Sequence, residues 1–110
     1  MPMRQRPFTQ VDVFTATPYR GNPLGVVLDG TDLSTAQMQQ YAHWANLSET
    51  SFLLPPTVPG ADYRVRIFTP AAELPFAGHP TLGSCHAWLA AGHTAASQQE
   101  VVQQCEKGLV

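Results

Sequence analysis

T-P-A-A-E-L-P-F-A-G-H-P-T-L-G-S-C-H-A-W-L-A-A, residues 69–91, joins a proline-dense loop to an apolar segment, Thr81 to Ala91, that carries no charge. Pro70, Pro75 and Pro80 punctuate the loop, and Pro80 stands where a first helical residue belongs, a place at which the missing amide costs nothing. A helix apolar nearly all round is expected inside a core. The stretch therefore predicts a buried helix over Pro80 to Ala91, with Gly78 and His79 at its mouth. Unpaired amides and the positive end of the helix dipole favour an anion there.

Outward from this helix, the same reading supplies a sheet. Asp62 to Phe68 alternates, with Tyr63, Val65 and Ile67 on one face and Arg64, Arg66 and Phe68 on the other, which is the pattern of a strand. Phe8 to Thr15 and Leu24 to Leu28 read as further strands, separated by a loop over Ala16 to Pro23, and the first six residues read as a loose end. Thr50 to Leu54 is a strand with Ser48 and Glu49 at its beginning, and Glu100 to Cys105 another. Ser34 and Gln37 have capping-box spacing and start a helix whose apolar face is Met38, Tyr41, Ala42 and Ala45, with Asn46 as its stop. Pro55 to Gly60 is a loop, Gly92 closes the second helix, and His93 to Gln98 is a polar connector. A new apolar segment begins at Gly108.

Bulk properties bound the function. The 110 residues make one domain with one core. Charged residues are 13% of the chain, about half the usual share, so some apolar surface is expected to be covered by a partner. A net charge of −2 and scattered arginines argue against nucleic acid. No apolar run approaches the ~20 residues of a membrane span, and no secretory signal pattern opens the chain, so no membrane contact and a cytoplasmic location are expected. Cys85 and Cys105 lack disulfide-scaffold or metal-ligand spacing.

Several residues carry candidate chemistry, each with an ordinary alternative. Glu49, between a helix end and a strand, is a candidate acid/base because burial moves a carboxyl toward the range where it takes and gives protons near neutrality. On local sequence alone, an exposed residue at a strand edge is the leading alternative. His79 is either a hydrogen-bonding or acidic group toward a ligand or a loop-filling residue. Gly78 either admits a ligand to the backbone or merely makes a turn. Asn22 lies in G-N-P, where a turn is the simpler reading. His79, His86 and His93 are spaced by seven, a helical rise of about 10.5 Å, too long for two of them to share an ion bound at about 2 Å. No metal is expected. Cys85 is expected to be core, and Arg64 and Arg66 to be solvated or salt-bridged.

Five blocks, Q-V-D-V-F-T at 10–15, G-N-P at 21–23, N-L-S-E-T at 46–50, Y-R-V-R-I-F-T-P at 63–70 and A-E-L-P-F-A-G-H-P-T-L-G-S at 72–84, resemble in order and spacing the N-terminal half of the phenazine-biosynthesis PhzF-like family. The resemblance implies an α+β fold of the diaminopimelate epimerase-like kind: two halves, each a curved, mostly antiparallel sheet wrapped round a central helix, with the active site between them. Residues 1–110 would be one domain, the first of those halves, with the second absent.

Carried over residue by residue, the resemblance makes Glu49 the catalytic carboxylate and gives His79, Gly78 and Asn22 substrate-side places. It implies an isomerase moving a proton on a small cyclic carboxylate of the trans-2,3-dihydro-3-hydroxyanthranilate type, without a metal or organic cofactor. A homo-oligomer, or completion by a second half-domain, is implied. A racemase or epimerase working through paired thiols is the weaker reading, because the stretch Phe76-Ala77-Gly78-His79 puts Ala77 where the first thiol would stand. A third reading is a non-catalytic module that keeps the fold for binding or subunit contact.

Overall fold

The computed structural model describes residues 6–13, 22–93, 95, 100–106 and 108–110, apart from the side chains of Asp12, Val13, Asn22 and His79. Among the described residues the elements run β1 (Phe8–Val13), β2 (Asn22–Val27), α1 (Thr35–Ala45), β3 (Glu49–Leu54), β4 (Tyr63–Phe68), β5 (Glu73–Leu74), α2 (Gly78–Ala90), β6 (Gln103–Cys105) and β7 (Gly108–Leu109). The strands form one mixed sheet in the order β1-β2-β3-β4-β6-β7, with β5 also against β4. The pairs β2·β3 and β4·β6 are parallel and the other four antiparallel, so the sheet is mostly antiparallel and the fold α+β, as expected. Because β3 already occupies one edge of β4, β5 and β6 share the other, β5 beside Ile67 and Phe68 and β6 beside Tyr63 and Arg64.

Strand alternation sends apolar side chains to both faces of the sheet, and one helix covers each. On one face Leu24, Val26, Leu53, Tyr63, Val65 and Ile67 pack against Ala87 and Trp88 of α2. On the other, Val27, Phe52 and Phe68 pack against Met38 and Ala42 of α1. The rings of Phe52 and Phe68 meet edge to face with centroids 5.6 Å apart, a geometry favoured by the ring quadrupoles.

Helix α1 starts and stops as its sequence predicts. Ser34 Oγ accepts from the Gln37 amide at 3.1 Å and Gln37 Oε1 accepts from the Ser34 amide at 2.9 Å, completing the capping box. Asn46 closes it in the left-handed region, at φ 56°.

Helix α2 departs from expectation in three ways. It begins at Gly78, so Pro80 is its third residue; first-turn amides have no intrahelical acceptor, and the missing one is tolerated there too. It is not buried all round: Pro80, Gly83, Ser84, Ala87 and Trp88 face the sheet, whereas Leu82 is 57% and Leu89 48% exposed. One sheet can cover only one side of a helix. Cys85 accordingly lies at the margin of the interface, half-buried rather than core, and this burial, with the Asp62 charge adding, pushes its thiol up.

Smaller differences concern boundaries. Asn22 and Pro23 are the first residues of β2 rather than part of a loop. The loop over 16–21 and the connector at 94 and 96–99 lie outside the described residues. Of the strand expected from Glu100, Gln103–Cys105 forms β6, which pairs with β7 in a hairpin, Gly108 taking φ 124°. No helix among the described residues is long and apolar enough to cross a membrane.

Candidate active site

Topology brings the starts of β2, β3 and α2 to one end of the sheet. Strands β2 and β3 run in parallel, Leu24 beside Glu49, so Asn22 and Glu49 open their strands at the same end. Near the far end of α2, Trp88 packs on Tyr63, ring centroids 5.1 Å apart. Tyr63 opens β4, which is antiparallel to β3 with Arg64 beside Leu54, so this contact lies at the finish of β3. Thirteen helical residues and six strand residues are both about 20 Å long. Helix α2 therefore runs back along the sheet and places Gly78 at the end where Glu49 stands.

Glu49, Ser51 and Leu53 alternate onto the face that α2 covers, and Glu49 is half-buried. Two residues further in, Ser51 is wholly buried, as is Ser84 on the sheet-facing side of α2, and neither hydroxyl oxygen has a hydrogen-bond partner among the described residues. The interface below Glu49 thus holds polar groups among its apolar ones, which sequence reading did not single out. Ser84 was legible as a helix residue, but its facing depends on the packing angle.

The mouth of α2 is open. Its N-cap, Ala77, is extended (φ −155°, ψ 139°) and offers no side-chain cap, and no acidic residue occupies the first turn. The Thr81 hydroxyl donates back to Ala77 O at 2.8 Å. A Cβ built on Gly78 would meet nothing within 4 Å, so packing within this chain does not require glycine there. Unsatisfied amides at the positive end of a helix facing open space suit a ligand carboxylate. His79 is the second residue of α2, and Asn22 the first of β2; the side chains of both lie outside the described residues.

A short hairpin delivers this mouth. Strands β4 and β5 are joined by a turn in which Thr69 Oγ1 accepts from the Ala71 and Ala72 amides at 3.1 and 2.9 Å. Glu73, at the start of β5, receives the Arg66 guanidinium on both oxygens, Nε at 2.9 Å and Nη2 at 2.8 Å. Arg66 also donates to Thr35 Oγ1 at 3.0 Å and lies 5.5 Å from the centre of the Phe68 ring. The sequence left Arg66 solvated or paired; the structure pairs it, and the Glu73 hydrogen bond holds its guanidinium still more firmly charged. Its partner seven residues on was not visible, because the turn that brings them together is fixed by Thr69.

The other end of the sheet contains a cavity of about 720 Å³ lined by Pro55, Tyr63, Trp88 and His93 among others. Two carboxylates on its wall are turned to backbone amides, Asp29 Oδ1 to Thr31 at 3.1 Å and Asp62 Oδ2 to Val102 at 2.7 Å. This cavity lies at the opposite end of the sheet from Glu49 and the mouth of α2.

Known proteins match the chain along nearly its whole length. A protein 50% identical over 108 residues, the antisense-enhancing sequence 1 of Schizosaccharomyces pombe, is matched over 98% of this chain and 36% of its own length. The trans-2,3-dihydro-3-hydroxyanthranilate isomerase of Pseudomonas chlororaphis is 54% identical over 74 residues, 67% of this chain and 26% of that protein. Among solved structures, the PhzF-family phenazine biosynthesis protein of Bacillus anthracis superposes with a TM-score of 0.83 at 35% identity, covering 97% of this chain and 35% of that one. The match thus spans between about a quarter and a third of the length of these relatives. With residues 11–110 matching its family model, the chain belongs to the phenazine biosynthesis-like protein family.

Proposed function

We propose that this chain is the N-terminal half of an isomerase that moves a proton on a small cyclic carboxylate of the trans-2,3-dihydro-3-hydroxyanthranilate kind. The observation that carries the reading is the placement of Glu49 and the uncapped mouth of α2 at the same end of the sheet, in a chain 54% identical over its matched part to an isomerase of that name. Glu49 takes a proton from a ring carbon and returns it to another position of the same conjugated system. Backbone amides near Gly78, with His79 and Asn22, hold the substrate carboxylate and polar substituents. No metal or organic cofactor is needed, since a general base that becomes the general acid balances the reaction.

The cleft in this reading is closed by a second half of similar fold, either on the same polypeptide or supplied by another subunit. Excluding water from Glu49 and fixing the substrate both call for that second wall. In a complete two-half protein carrying this chain, Glu49→Gln should abolish deuterium uptake from heavy water into trans-2,3-dihydro-3-hydroxyanthranilate. Uptake that survives would remove Glu49 from the chemistry.

A second reading, a non-catalytic module that binds through its apolar surface, is favoured by the exposure of Leu82 and Leu89 along α2. Sedimentation separates the two. Self-association of the 110-residue chain that is lost with Leu82→Ser, together with no isomerisation in the two-half protein, supports the module.

A further inference from the structure

Three polar residues of α1 bond in sequence to one hairpin. Thr35 Oγ1 accepts from Arg66 Nη2 at 3.0 Å, Gln39 Nε2 donates to Thr69 O at 2.9 Å, and His43 Nδ1 lies 3.1 Å from Pro70 O. Spaced by four residues each, they form a single stripe along the helix, beside the Met38 and Ala42 stripe that packs on the sheet. The hairpin they hold ends at Leu74, and only Pro75, Phe76 and Ala77 separate it from Gly78. From Leu74 to Gly78 such a link reaches at most about 14 Å and is stiffened by its proline. Wherever the hairpin sits, the mouth of α2 must follow.

We propose that Thr35, Gln39 and His43 are positioning residues that fix the β4–β5 hairpin and, through it, the placement of Gly78 and His79 relative to Glu49. Helix α1 touches neither the proposed substrate nor the reacting atoms. It acts by converting a surface turn into a rigid support, while the Arg66 to Glu73 pair clamps the two strands of the hairpin to each other. A two-residue strand such as β5 has too few ladder bonds to hold a fixed position by itself, so the anchors on α1 supply what the sheet lacks.

The inference rests on the reading of Gly78 and His79 as substrate-side groups, and its first test needs no substrate. In the chain itself, amide exchange is followed at Thr81, whose N–H donates to Ala77 O, and at Met38, whose N–H donates to Ser34 O. Gln39→Met should speed Thr81 exchange about fivefold, the weight of one lost hydrogen bond, and leave Met38 unchanged. Gln39→Lys, which retains a donor, should restore the slow rate. Glu73→Gln, changing the other clamp, should loosen Thr81 as well. Unchanged Thr81 exchange in both Gln39→Met and Glu73→Gln overturns the proposal.

The second test separates positioning from mere support. In the two-half protein, Gln39→Met should raise KM for trans-2,3-dihydro-3-hydroxyanthranilate about fivefold with kcat held, and Gln39→Lys should return it. A loosened Thr81 with an unmoved KM also overturns the proposal. If the parent protein does not turn this compound over, the isomerase reading falls, and the amide measurement by itself decides whether α1 places the mouth.

Discussion

Arg66 and Glu73 meet as a bidentate ion pair at 2.8 and 2.9 Å, with side chains 18% and 26% exposed, and so tie β4 to the strand that leads into α2. Two parallel hydrogen bonds give the pair a direction as well as an attraction. The guanidinium also reaches Thr35 and covers Phe68, so one side chain joins two strands and a helix.

Replacing Arg66 by Met should therefore cost more than a surface ion pair does, about 1–2 kcal/mol in urea unfolding. Arg66→Lys should recover less than half of that. An ammonium keeps the charge but cannot present the planar fork that meets both Glu73 oxygens. Full recovery by Lys would mean that charge alone holds the hairpin.

Gly78→Ala should leave stability unchanged, since a Cβ there meets nothing within 4 Å. The same methyl group would project from the helix mouth toward a bound substrate. In a two-half protein the variant should raise KM by about tenfold or more, and thermal melting beside steady-state kinetics checks both halves of the expectation. Loss of stability without loss of affinity would return Gly78 to the role of a simple turn residue.

Buried and exposed apolar side chains should differ in their response to truncation. Phe52, 1% exposed and packed on Phe68, should cost about 3–5 kcal/mol as Phe52→Ala. Leu82, 57% exposed on α2, should cost almost nothing as Leu82→Ala in this chain. If a second half covers α2, the same change in the two-half protein becomes destabilising by about 2 kcal/mol, and paired denaturation curves read the difference.

Alkaline pH should weaken the fold through Tyr63. Its hydroxyl is buried and donates to Gln103 Oε1 at 3.0 Å; burial, with Cys85 and Asp62 adding, pushes its pKa up from the ordinary 10.0. A raised folded pKa means that the native state holds its proton where the unfolded state releases it. The contribution is therefore fully present below pH 10.0 and is lost as pH rises past it toward the folded value. Cys85, raised from 9.0, adds a loss in the same direction that begins lower. Urea midpoints should fall above about pH 9, and Tyr63→Phe should flatten the part of the decline above pH 10. A flat wild-type curve would contradict the burial of both groups.

Periodicity and caps were legible because they are local. Ser34 and Gln37 close the capping box that their spacing announces, Asn46 ends α1, and Tyr63, Val65 and Ile67 share a buried face as their alternation requires. The family resemblance was legible for the same reason: its five blocks are contiguous runs in a fixed order. From the residues alone, composition also announced exposed apolar surface, and Leu82, Leu89 and Trp44, the last 77% exposed, lie on the surface of this chain.

Tertiary structure decided what lies between elements. An uncharged run from Thr81 to Ala91 reads as a helix buried all round, yet the sheet takes only the side bearing Gly83, Ser84, Ala87 and Trp88, because a flat layer contacts one face of a cylinder. That Glu49 and Gly78 stand at the same end follows from the parallel pairing of β2 with β3 and from Trp88 resting on Tyr63, neither of which has a local signature. The stripe of Thr35, Gln39 and His43 was equally hidden: its four-residue spacing is plain in the sequence, but its partners come from β4 and the turn after it, about 30 residues away, brought within hydrogen-bond reach only when β4 and α1 dock. Local spacing selects the elements, and long-range packing sets which of their ends meet.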